Sequence, residues 1–156
     1  MTTSTAGSGG RVLGLDLGDA RIGVAVSDDD RRVAVPVGTV HVGQPPGELK
    51  AIAALVTDHE ATLVVLGHPR SMSGQVGERA RHAEVFAETL RALLEVPVEL
   101  HDERLSTVEA ERGLRAAGLD GRRRRRHVDA AAASVILQSW LDVHRDVHRP
   151  QNGSGG

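Results

Sequence analysis

From Arg11 to Leu17 the chain is almost continuously apolar, and Val12-Leu13-Gly14-Leu15-Asp16-Leu17 predicts a buried strand. A second strand is predicted over Ile22–Ser27, joined to the first by a connection short enough for a hairpin. Asp28, Asp29 and Asp30 mark the next turn, and a third strand follows over Arg32–Val40. Pro36 cannot donate to a ladder, which places that strand at a sheet edge. The period then changes. Leu49, Ile52, Ala53 and Val56 share one helical face. Thr62–Leu66 reads as a strand covered on both sides, and Ala83, Phe86, Ala87, Leu90, Leu93 and Leu94 form the stripe of a long helix. Val96–Leu100 is a further strand. Ser106 and Glu109 have capping-box spacing for a helix that stops at Gly118, with Gly113 an unfavourable residue inside it. The last helix is expected to start near Val128, with Ala133, Ile136, Leu137, Trp140 and Leu141 facing inward.

Three antiparallel strands followed by alternating helices and strands predict an α/β sandwich: a mixed sheet with helices on its faces. The length of 156 residues suits one domain that buries roughly 70% of its unfolded surface. The expected organisation is a disordered segment over 1–10, a folded domain over 11–147 and a flexible tail over 148–156. Gly43-Gln44-Pro45-Pro46-Gly47 is a connector within the domain. No apolar stretch approaches the roughly 20 residues of a membrane span, and the N-terminus lacks a signal-peptide core. With no cysteine, disulfides and thiolate zinc sites are excluded, which suits a reducing, cytoplasmic setting.

Charge refines the picture through its distribution. The net charge is −2, yet Lys50 is the only lysine, and Arg122, Arg123, Arg124, Arg125 and Arg126 stand together. Arginine suits bidentate phosphate contact, and such a run makes nucleic-acid binding salt-dependent. The same run also reads as a solvated, disordered loop. With Phe86 and Trp140 the only aromatics, the composition counts against a module that reads single strands by base stacking.

The chemistry centres on Asp16. An ionised carboxylate in an apolar strand is costly unless something pairs with it. Gly18 then permits a sharp turn or the close approach of a ligand. Asp102 and Glu103 follow the strand ending at Leu100, and Asp129 opens the last helix. Asp16 and Glu103 thus fall at the carboxyl ends of strands, where α/β sheets bind ligands, and Asp129 reaches the same point if its helix crosses that edge. Converging carboxylates repel unless a hard divalent cation stands among them. Simpler readings stand beside this one. Asp129 meets the helix dipole, and Glu103 pairs with Arg104 or Arg112. Arg21 and Arg104 clamp a phosphate or merely pair with acids. His144 and His148 have the one-turn spacing of metal ligands but sit at a fraying end. No phosphate-binding P-loop and no nucleophile elbow is present.

Several blocks together resemble the YqgF family, also called RuvX. They are Leu15-Asp16-Leu17-Gly18 with Arg21-Ile22-Gly23-Val24-Ala25-Val26-Ser27-Asp28, then Asp102-Glu103-Arg104-Leu105-Ser106-Thr107, then Val128-Asp129-Ala130-Ala131-Ala132-Ala133, and Ile136 to Leu141. The resemblance runs from Arg11 to about Val143. It implies an RNase H-like mixed five-stranded sheet with helices on both faces. It implies a metal-dependent endonuclease for the 5′ end of pre-16S rRNA in ribosome biogenesis, with Asp16, Glu103 and Asp129 as catalytic and metal-binding acids for Mg²⁺ or Mn²⁺. Arg21, Arg104 and Arg122 to Arg126 would contact the substrate, structured RNA. The alternatives are resolution of branched DNA by a homodimer, or a non-catalytic ribosome-assembly or transcription factor. No membrane is involved, and the protein is a monomer or homodimer. One departure is Gly67-His68-Pro69 where the family has Gly-Leu-Pro. His68 there is a phosphate or proton contact, or a neutral exchange.

Overall fold

The computed structural model describes residues 9–43, 47–70, 77–105 and 121–148, the last stretch as backbone alone over 121–128 and 145–148. Strand β1 (Arg11–Leu17) lies at the centre of the sheet, with the bounds its apolar run predicts. β2 (Arg21–Ser27) pairs with it antiparallel. In the turn between them the Gly18 N–H donates to the Arg21 carbonyl at 3.0 Å. A Cβ on Gly18 would stand 2.6 Å from that oxygen, so the turn admits no side chain. β3 (Ala34–His41) pairs with β2 at the outer edge, where Pro36 is tolerated. It starts later than expected, because Arg32 and Val33 donate to the Asp28 side chain and extend the turn.

The chain then forms α1 (Gly47–Asp58), β4 (Ala61–His68), α2 (Glu78–Leu93) and β5 (Val98–Asp102). β4 runs parallel to β1 and β5 parallel to β4, giving the order β3-β2-β1-β4-β5. β5 begins and ends two residues later than expected. Pro97 stays outside it, its carbonyl accepting from Val64 N–H at 3.0 Å. Asp102 therefore closes the strand, and Glu103–Leu105 form a 3-10 turn.

Alternation along the strands builds two cores. Leu13, Leu15, Val24 and Leu66 pack against Ile52 of α1 and Ala83, Ala87 and Leu90 of α2. Leu93 is half exposed and departs from the expected stripe, whereas Leu94, just past α2, packs against the core as its spacing suggests. Val12, Ala25, Leu63 and Val65 face the last helix, α3 (Gly121–His148), and pack on Ile136, Leu137, Trp140 and Leu141. β4 is buried on both faces, as its unbroken apolar run predicts. α3 corrects one expectation. It begins at Gly121 rather than near Val128, so the backbone of the arginine run is helical, not a loop. Arginine is a good helix former, and charge alone obscured that. Asp129 is consequently not at a helix start, and the dipole does not account for it. The described chain starts at Gly9, where Arg31 donates to the carbonyls of Gly9 and Gly10. The expected capping box at Ser106 and its helix lie outside the described residues. Among the described residues, no helix is long and apolar enough to cross a membrane.

Candidate active site

Alternation puts Asp16 on the same face of the sheet as Val12 and Gly14, the face that α3 covers. Asp16 is only 3% exposed. Its two neighbours across the sheet are glycines. Gly23 of β2 lies opposite it, and Gly67 of β4 follows Leu66, the partner of Leu15. Each glycine makes room for another element. A Cβ on Gly23 would stand 2.0 Å from the carbonyl oxygen of Asp129. One on Gly67 would stand 2.7 Å from Glu103 Oε2 and 2.8 Å from Ile136 Cδ1. Neighbouring strands are about 4.8 Å apart, so Asp16 is flanked closely by the Asp129 backbone on one side and the Glu103 carboxylate on the other. Sequence pattern alone assigned these two glycines no role, yet both admit a close approach to the face beside Asp16. The signal for them was a glycine in the interior of a strand, which marks close approach by another backbone or side chain.

The sheet thus brings Asp16, Glu103 and Asp129 to one end and one face. It does not align all three carboxylates on a single point. Among the described residues, no three His, Cys, Asp or Glu side chains stand close enough together to hold a metal ion. The Asp129 carboxylate is turned to Arg21, whose Nε donates to Oδ2 at 3.1 Å in a half-buried ion pair. The donor set is nonetheless all carboxylate oxygen, the chemistry hard divalent cations take, and the two glycines leave the face beside Asp16 without side chains of their own.

Arg104 is committed to an acid. Its Nε lies 3.0 Å and its Nη2 2.6 Å from Asp102 Oδ2, and its backbone N–H donates to Oδ1 at 2.9 Å. The Arg104 side-chain hydrogen bond holds the Asp102 carboxyl below the usual carboxylate range, against the effect of burial. Asp102, rather than Glu103, is thus the partner of Arg104. His68 lies on the opposite face of the sheet, where its Nε2 is 2.8 Å from Glu84 Oε2 of α2, away from the three acids. The buried His101 lies 2.9 Å from the Ser139 hydroxyl, which donates to the Leu105 carbonyl at 2.9 Å. Ser139 thereby fastens the turn carrying Glu103 to α3. Burial, then the proximity of His144, pushes His101 below the usual histidine range, and Asp102 and Glu99 oppose this. His144 stacks on Trp140 with ring centroids 3.9 Å apart, and its Nδ1 is 2.8 Å from the Trp140 carbonyl. The side chain of His148 lies outside the described residues.

A mixed sheet in this order, with helices on both faces, defines the class: an RNase H-like fold. T. thermophilus RuvC in complex with Holliday junction substrate superposes with a TM-score of 0.51 at 16% identity, over 86% of this chain and 96% of that one. The chain itself belongs to the RuvX family, whose profile, described as Holliday junction resolvase, matches residues 10–143. It is therefore a nuclease, a hydrolase of phosphodiester bonds. A relative from Anaeromyxobacter sp. (strain K), which carries the name "Putative pre-16S rRNA nuclease", is 53% identical over 132 residues, 85% of this chain and 96% of its own. One of the same name from Mycolicibacterium paratuberculosis is 48% identical over 141 residues, 90% of this chain and 84% of its own. The fold and the family that the motif blocks imply are both borne out.

Proposed function

We propose that this protein is a divalent-metal-dependent endonuclease that trims the 5′ end of pre-16S rRNA during ribosome biogenesis in the cytoplasm. The relatives' name supports the substrate. The observation that carries the site is Asp16, buried on a sheet face kept clear by Gly23 and Gly67, with Glu103 above one glycine and Asp129 above the other. Asp16, Glu103 and Asp129 would hold Mg²⁺ or Mn²⁺. When bound, such ions supply an activated water and charge compensation at the leaving oxygen. Arg21 and Arg122 to Arg126 supply the cationic contacts that seat the phosphate backbone, whereas Arg104 is held by Asp102 and shapes the turn that carries Glu103.

The test is cleavage of a pre-16S fragment and a four-way DNA junction side by side, with Mg²⁺, Mn²⁺ or chelator. Wild-type protein is expected to cut the RNA in a chelator-sensitive way. Asp16→Asn is expected to lose about 100-fold or more of that rate while still binding the RNA. Full activity in Asp16→Asn sinks the site assignment. Preferential, paired cuts in the junction make branched DNA the substrate and require a homodimer, a reading that the family's description favours. Binding without turnover under every metal makes the protein an assembly factor instead.

A further inference from the structure

The Arg21–Asp129 pair has a geometry that a static ligand set does not explain. Arg21 and Gly23 lie on the same face of β2, so the strand that receives the Asp129 backbone also supplies the cation that holds its carboxylate. The backbone position is fixed, because Gly23 and the Asp129 carbonyl are already in close contact. Only the two short side-chain torsions of Asp129 remain to change. They turn the carboxylate towards Arg21, and among the described residues no three-acid group is assembled. The two side chains keep 19% and 25% of their surface exposed, so an incoming anion can reach the guanidinium. A phosphodiester is a strong competitor for guanidinium, since its paired oxygens match the planar fork.

We propose that Arg21 is a positioning residue that latches Asp129 until substrate arrives. A phosphate of the nucleic acid takes the guanidinium, and the released Asp129 carboxylate turns to join Asp16 and Glu103. Cation binding and substrate binding are thereby coupled through one exchanged ion pair. This inference rests on the nuclease reading above.

Mn²⁺ affinity, read from the electron paramagnetic resonance of the free ion, tests it without any turnover. The probes are wild type, Arg21→Gln and Asp16→Asn, each with and without a cleavage-resistant 2′-O-methyl RNA. Wild type is expected to bind Mn²⁺ about tenfold more tightly with the RNA present. Arg21→Gln is expected to bind it that tightly without RNA and to gain nothing from its addition. In cleavage of unmodified RNA the same variant should raise KM far more than it lowers kcat. If Arg21→Gln does not fold, Arg21→Met carries the same test. Equal Mn²⁺ affinity in wild type and the Arg21 variant, with Asp16→Asn deficient, overturns the latch and leaves the nuclease site standing. If wild type binds no Mn²⁺ under either condition, the metal site itself fails, and the latch with it.

Discussion

At the scale of single residues, the proposed site rests as much on two missing side chains as on the acids. Asp16 was legible in the sequence because a carboxylate inside an apolar run needs a reason. Gly23 and Gly67 were not, because what they make room for comes from distant parts of the chain. Gly23→Ala measures this directly. Its methyl carbon would meet the Asp129 carbonyl at 2.0 Å, and neither partner is a flexible side chain that can swing aside. α3 must lift from β2, or the strand must bend. Overpacking of this kind costs about 1–3 kcal/mol, to be read as a lower midpoint in urea unfolding. Cleavage should fall more steeply than stability, because the displaced backbone carries Asp129. Unchanged unfolding and unchanged cleavage would show that Asp129 does not depend on this contact.

At the scale of elements, β1 matched its apolar run to the residue, whereas β3, β5 and α3 shifted for reasons of local hydrogen bonding and propensity. The turn before β3 shows the mechanism. Asp28 Oδ1 accepts from the backbone N–H groups of Arg32 and Val33 at 2.8 and 2.9 Å, and Arg31 takes a positive φ of 58° to make the bend. These bonds are invisible to a hydrophobic pattern, which counted Arg32 and Val33 as strand. Burial acts to raise the Asp28 pKa, but the backbone donors, Val33 first, outweigh it and bring the carboxyl below the usual range. A depressed carboxyl pKa means that the unfolded chain binds the proton more readily. The stabilisation is therefore present above the unfolded pKa and lost as pH falls through the folded one. Asp28→Asn keeps the acceptor and cannot ionise, so its unfolding free energy should fall less steeply below about pH 4 than that of wild type. Asp28→Ala, which removes the acceptor, should cost about 0.5–1.5 kcal/mol at neutral pH. Parallel acid profiles for wild type and Asp28→Asn would count against this account.

At the scale of the whole molecule, a net charge of −2 conceals a polar arrangement along α3. The backbone of Arg122 to Arg126 occupies the same helix as Asp129, three to seven residues before it. With a rise of 1.5 Å per residue, that spans about 5–10 Å along the axis, so the cations and the candidate acid are carried by one rigid element. Reading the run as a loop gave its charge correctly but missed this coupling, because helix propensity in a charge-dense segment leaves no apolar stripe to see. A rigid basic helix end predicts phosphate contacts that release counterions together. Replacing all five arginines by serine should therefore flatten the slope of log K against log salt. The change should be about 3.5 if each meets a single-stranded phosphate and about 4.5 if the substrate is duplex. Fluorescence anisotropy of RNA binding over a salt series gives that slope. Asp16→Asn, which changes one buried acid and no phosphate contact, should leave it unchanged. A five-arginine variant with the wild-type slope would place the run away from the bound strand, and the substrate's path would then have to be sought along Arg21 and the β2 face instead.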